Sequence, residues 1–135
     1  MVDPRIARQL GPLEAEVMDI LWDVPHASVR TVTERLNSTR PDRPLAYTTV
    51  MTVMSRLAEK GLLLRTLVGK TYAYRAQCSQ EEFIAQLSSE RVTALVQEFG
   101  DLALTQFLNQ LEQLDPEQLR RLVKLVKQQN RQERG

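Results

Sequence analysis

Between Leu45 and Arg75 the chain reads LAYTTVMTVMSRLAEKGLLLRTLVGKTYAYR, and its apolar residues change period part-way along. Val50, Val53, Met54 and Leu57 recur at i, i+3, i+4 and i+7, which places them in one stripe along a helix and predicts a helix from Thr48 to Lys60. Gly61 supplies the stop after it, and the segment then folds back as a β-hairpin with Gly69-Lys70 at the tip. The side of the helix away from the stripe carries Thr48, Thr49, Thr52 and Ser55. Hydroxyl and β-branched residues are mediocre helix formers, so an exposed helical face built from them needs a reason other than stability. Close approach to DNA phosphates and base edges is such a reason. A helix followed by a basic-tipped hairpin has the order of a recognition helix and its wing.

The upstream pattern completes a helix-turn-helix. Gly11-Pro12-Leu13 opens a helix with proline where a missing N–H costs nothing, Glu14 and Glu16 sit near its positive end, and Leu13, Val17, Ile20 and Leu21 form its stripe. Pro25-His26-Ala27 breaks the chain. Ser28 is placed as N-cap of a short helix reaching about Leu36, with Val29, Val32 and Leu36 inward. Asn37 to Pro44 reads as a loop. Three helices and a two-stranded hairpin are thus expected in the first half.

From Ser79 onward the pattern is helical throughout, with Pro116 the only proline and Gly100 the one internal glycine. Ser79-Gln80-Glu81-Glu82 reads as a capping box opening a helix to Phe99. Leu104, Phe107, Leu108 and Leu111 mark a second helix, and Asp115-Pro116 starts a third carrying Leu119, Leu122, Val123 and Val126. Three such helices offer more apolar surface than one copy can cover, and interleaving with a second copy is the economical solution, an independent three-helix unit being the alternative. The expected fold class is therefore mainly α, with a winged helix-turn-helix DNA-binding domain over residues 5–78 and a C-terminal helical dimerisation domain over 79–135.

The 135 residues allow one or two small domains. The formal net charge is only +1, but it is unevenly spread: residues 1–78 hold 11 Lys and Arg against 8 Asp and Glu, a net +3, and residues 79–135 hold 7 against 9, a net −2. The basic excess accompanies the helix-turn-helix, as phosphate binding requires. No signal peptide or long apolar run is present, so a cytoplasmic protein without direct membrane binding is expected. The single cysteine, Cys78, excludes an internal disulfide and reads as a small half-buried filler.

Other chemistry finds little support. Gly69-Lys70-Thr71 echoes the end of a phosphate-binding loop, but Leu64 stands where the earlier glycine belongs and the segment lies between strands. His26, the only histidine, and one cysteine do not make an ordinary zinc site, and no Ser/His/Asp or Cys/His set stands out, so no cofactor, metal or enzymatic activity is expected. Trp22 and Tyr47 read as packing residues, in the core and at the helix start, rather than base-stacking platforms.

LEAEVMDILW at 13–22, LAYTTVMTVMSRLAEKGLL at 45–63 and GKTYAYRA at 69–76 resemble the penicillinase-repressor family, the dimeric regulators of β-lactamase and methicillin-resistance genes. The resemblance covers nearly the whole chain. It implies a homodimeric repressor that binds operator DNA, with Thr48, Thr49, Met51 and Thr52 near base edges. Ser28, Arg30, Thr31, Arg56 and Lys70 would lie at phosphates, and Ser55 and Thr71 beside them. Relatives place Lys or Arg on the helix face that here carries threonines, which bears on base preference. The resemblance suggests an inverted repeat of TACA and TGTA half-sites. It also implies release by proteolysis in the C-terminal half, triggered by a β-lactam-sensing membrane protease or receptor. Relatives are cut between Asn and Phe; this chain offers Thr105-Gln106 before Phe107, so the cut is expected between Leu102 and Leu108. Copper-responsive relatives carry C-terminal CxC pairs, which are missing after Cys78. Direct sensing of a small ligand, or an architectural or protein-interaction role, remain as alternatives.

Overall fold

The computed structural model describes residues 1–134. Its elements are α1 (Pro4–Gln9), α2 (Pro12–Asp23), α3 (Val29–Asn37), α4 (Tyr47–Glu59), β1 (Leu63–Val68), β2 (Thr71–Ala76), α5 (Gln80–Phe99), α6 (Asp101–Glu112) and α7 (Pro116–Arg134). The fold class is the expected one, mainly helical with a small antiparallel sheet. The first half holds four helices rather than three. Asp3 accepts from the Arg5 N–H at 2.8 Å and Pro4 takes the first helical position, the ordinary start signal; α1 buries Ile6, and Leu10 at its C-cap is buried as well. Six residues would not hold a helix alone, so tertiary burial sustains it.

The core forms from Val17, Met18 and Leu21 of α2, Val29, Val32 and Leu36 of α3, Val50, Met54 and Leu57 of α4, and Leu63 and Tyr74 of the hairpin. The helical stripes expected from the spacing are buried here except for Leu13, Ile20 and Val53, which are only half-buried, while Met18, Leu63 and Tyr74 join the core from outside those stripes. Ser28 caps α3 by accepting the Thr31 N–H at 3.1 Å. Gly61, at φ +83°, ends α4 in a Schellman arrangement: the Leu62 N–H reaches the Leu57 carbonyl at 2.9 Å and the Gly61 N–H that of Ala58 at 3.1 Å. The hairpin pairs Leu63 with Ala76 through to Val68 with Thr71, leaving a two-residue tip. Gly69 at its first position has φ +65°, as a type II′ turn needs.

Two features add to the expected frame. Ala27 exchanges both backbone hydrogen bonds with Tyr74, at 2.9 and 2.8 Å, so the break between α2 and α3 serves as a one-residue third strand. The first compact unit also extends past the hairpin, over Met1–Leu87, and the second begins at Ser88. The start of α5 belongs to the first unit because Phe83 packs on Trp22, ring centroids 5.5 Å apart, while Trp22 Nε1 donates to the Cys78 carbonyl at 3.0 Å. Trp22 is thus the packing residue its sequence position suggests.

In the second unit Gly100, at φ +58° and ψ −134°, turns the chain between α5 and α6. Asp115 and Gln118 form a reciprocal capping box at α7, with the Gln118 N–H on Asp115 at 2.7 Å and the Asp115 N–H on Gln118 at 3.1 Å. Ser79 similarly accepts the Glu82 N–H at 3.1 Å at the head of α5. Leu104, Phe107, Leu108, Leu111, Leu119, Val123 and Val126 are exposed in the single chain and Leu122 is half-buried. Ala103 is the one buried apolar residue of this unit among those described.

Candidate nucleic-acid interface

α4 is buried along one face and open along the other. Thr48, Thr49, Thr52 and Arg56 are exposed, Met51 is 40% exposed and Ser55 is half-buried. Tyr47, Met51 and Ser55, one helical turn apart, face the hairpin. With Ser28 and Arg30 at the start of α3 and Arg65, Lys70, Thr71 and Tyr72 on the wing, they line one groove. Of the residues singled out in sequence, the groove brings together Ser28, Arg30, Met51, Ser55, Lys70 and Thr71 from three separate segments, while Thr31, Thr48, Thr49, Thr52 and Arg56 lie outside its lining.

The hydroxyls on this surface are not equivalent. Thr52 Oγ1 donates to the Thr48 carbonyl at 2.9 Å, so its proton is committed to the helix and its methyl and lone pairs remain for a partner. The Thr49 hydroxyl has no such bond among the described residues. Ser28 acts first as a cap, and its hydroxyl also donates to Thr31 Oγ1 at 3.1 Å. Thr71 Oγ1 donates to the Val68 carbonyl at 3.3 Å and braces the wing tip.

The cations differ in the same way. Arg30 pairs with Glu34 at 3.3 Å across open solvent, an interaction worth no more than about 0.5 kcal/mol, so a phosphate can take the guanidinium from it. Lys70 and Arg56 make no ion pair among the described residues. Arg65 lies over the Tyr72 ring, its guanidinium carbon 4.9 Å from the centroid, which holds the charge at the groove edge.

Arg65 and Tyr72 of the groove lay outside the sequence reading, and Tyr47 was read there as a packing residue. Tyr47 is 50% exposed rather than packed at the helix start; with Ala46 as N-cap it is the first residue of α4, one residue earlier than expected. Arg65 and Tyr72 share a sheet face, since Arg65 pairs with Tyr74 and Leu67 with Tyr72. Strand alternation counted back from the Gly69-Lys70 tip carries that information.

Among the described residues there is no cluster of His, Cys, Asp and Glu that could hold a metal, and no helix is long and apolar enough to cross a membrane. Burial, and secondarily the Glu82 carboxylate, push the Cys78 thiol above its ordinary pKa.

A helix-turn-helix closed by a hairpin, with hydroxyls exposed on the outer face of its second helix and cations on that helix, the helix before it and the wing, defines a winged-helix DNA-binding protein. Residues 10–128 match the penicillinase repressor family. The transcriptional regulator BlaI of Mycobacterium tuberculosis, in two strains, is 36% identical over 116 residues, covering 84% of this chain and 81% of the relative. The chain belongs to the penicillinase repressor family, whose members are DNA-binding transcriptional repressors and not enzymes. Among solved structures, the DNA-binding domain of the repressor BlaI aligns at 24% identity over 55% of this chain and 87% of that one, with a TM-score of 0.47. RosR of H. salinarum, in a complex, aligns at 17% identity over 95% and 96% of the two chains, with a TM-score of 0.50.

Proposed function

We propose that this chain is a homodimeric repressor of β-lactam-response genes, each winged unit reading one half of an inverted repeat with TACA and TGTA half-sites. The observation that carries the reading is the exposed row of Thr48, Thr49, Met51 and Thr52 on α4, with Met51 lining the groove between the start of α3 and the wing. Threonine methyls and the Met51 side chain suit thymine methyl groups, and the free hydroxyls suit phosphates or adenine and thymine edges. Ser28, Arg30, Thr31, Ser55, Arg56, Lys70 and Thr71 supply the surrounding backbone contacts.

The pairing half is residues 79–135, through Leu104, Phe107, Leu108 and Leu111 of α6 and Leu119, Leu122, Val123 and Val126 of α7. Support comes from the packing: α5, α6 and α7 do not pack extensively on one another within the chain, so these apolar faces lack an internal cover. Release follows cleavage between Leu102 and Leu108, around Thr105, Gln106 and Phe107, by a β-lactam-sensing membrane protease. This stretch is helical, so α6 must unwind locally to enter a protease cleft.

A second reading draws on the apolar hollow lined by Leu95, Phe99, Leu102, Ala103, Gln106 and Phe107, which would suit a small apolar ligand acting directly. A gel shift of purified protein on an inverted-repeat duplex and a scrambled one, with and without β-lactam, separates the readings. The first expects selective binding indifferent to the drug; release by the drug alone supports the second. Equal binding to both duplexes overturns sequence recognition.

A further inference from the structure

The α3–α4 connection spans residues 38–46, long for a helix-turn-helix, and α4 begins without a side-chain cap because Ala46 occupies the N-cap position. Val50, Met54 and Leu57 hold the body of α4 in the core, which leaves the path of its uncapped N-terminal end to be fixed by other contacts. Asn37, the last residue of α3, accepts the Leu45 N–H on Oδ1 at 2.7 Å and donates from Nδ2 to the Leu45 carbonyl at 3.0 Å. One carboxamide thus satisfies both backbone groups of the residue just before the N-cap, as a paired strand would. The site is half-buried, where each such bond is strengthened by the low local dielectric. The far side of the same loop is held by Arg40, which donates to the Leu36 carbonyl at 3.0 Å and pairs with Glu16 on α2.

We propose that Asn37 is a positioning residue for DNA reading: its two bonds to Leu45 fix the residue that leads into the uncapped start of α4 and so set the angle at which that end of the helix meets base edges. Asn37 does not line the groove between α4 and the wing, and both ends of its carboxamide are taken up by Leu45. The inference rests on the proposed DNA reading, because it concerns how α4 is aimed rather than what it contacts. Loss of the clamp lets the start of α4 drift, and base contacts depend on geometry far more steeply than phosphate contacts do.

The test measures Asn37→Ala and Asn37→Asp against wild type on two duplexes, one with the inverted TACA/TGTA repeat and one scrambled, each across a salt series. Hydrogen exchange at the Leu45 amide and thermal melting are followed in parallel. Asn37→Ala should lose about tenfold in affinity for the repeat, the scale of a single faulty base contact, with scrambled-duplex affinity and salt slope unchanged and Leu45 exchange accelerated. Asn37→Asp keeps the acceptor for the Leu45 N–H and should fall between, which serves if the alanine variant does not fold. An unchanged ratio between duplexes despite faster Leu45 exchange overturns the proposal, and so does an equal loss on both duplexes. A wild type that does not distinguish the duplexes overturns this inference and the DNA reading together; a wild type that does, with variants that match it, overturns this inference alone.

Discussion

Lys60 Nζ stands 3.0 and 3.1 Å from the two carboxylate oxygens of Glu14, tying the C-cap of α4 to the first turn of α2. Arg40 is likewise held by Glu16, two residues further along α2. Two of the cations near the recognition helix are therefore engaged inside the fold, while Lys70 at the wing tip and Arg56 on α4 are not among the ion pairs. Charge near a DNA-binding element and charge available to DNA are separate quantities here.

That difference is measurable as salt dependence. Lys70→Ala should weaken binding to every duplex alike and lower the slope of log affinity against log salt by about one ion per subunit. Lys60→Ala should leave the slope nearly unchanged and lower stability by about 1 kcal/mol, since Lys60 is exposed while the Glu14 carboxylate it leaves is largely covered. Equal slope changes in the two variants would show that Lys60 leaves Glu14 to reach a phosphate.

The recognition helix carries a finer test. Thr52 has committed its proton to the Thr48 carbonyl, so a thymine methyl contact would survive Thr52→Val and be lost in Thr52→Ala. Thr49, with its hydroxyl free, should lose discrimination with either replacement, by about 1 to 3 kcal/mol per base contact. Competition binding between operator and random duplex reads both. Equal loss on both kinds of DNA from the Thr49 changes would mean that this face does not read sequence.

Helices with dense stripes and ordinary stops, such as α4 with Val50, Met54 and Leu57 ending at Gly61, were legible because local pattern and final packing agree. α1 escaped because six residues give no period to read, and its Asp3-Pro4 start signal matters only once Ile6 finds the core. The Ala27–Tyr74 bridge escaped for a related reason: a single pair formed across a long sequence separation leaves no alternation in either segment. At the interface, α4 was readable from its apolar period and the hydroxyl residues opposite it. Arg65 and Tyr72 needed the hairpin register, and the two-sided bond from Asn37 to Leu45 depends on the path of an irregular loop.

Cys78 offers a check on the junction between wing and α5. Its raised pKa reduces the thiolate fraction at any given pH, so iodoacetamide should modify it more slowly near neutral pH in the folded protein than in the unfolded chain. The difference should close as pH rises past the folded-state pKa. Trp22→Phe, which removes the indole bond to the Cys78 carbonyl, should speed the reaction by loosening the start of α5. A folded-state rate equal to that of the unfolded chain would show the thiol to be freely solvated.

The proposed dimer makes the most consequential prediction. Leu108 is 58% exposed in the single chain, so Leu108→Glu has no buried site to disturb there and should leave the first unit folded, with the Trp22 fluorescence of that unit unchanged. At an apolar interface the same carboxylate must be desolvated without a partner, at a cost of several kcal/mol, and light scattering should report a monomer. Leu122→Glu should do the same from α7. Each monomer retains every residue of its DNA face, yet it holds only one half-site. Operator affinity should therefore fall on the order of 10² to 10⁴, the gain that linkage gives a second site, while affinity for an isolated half-site stays constant. Cleavage between Leu102 and Leu108 should produce the same pair of results, because it severs the pairing half without touching α4. A wild-type chain that is monomeric at high micromolar concentration, or a Leu108→Glu variant that keeps full operator affinity, would remove both the dimer and the proteolytic route to release.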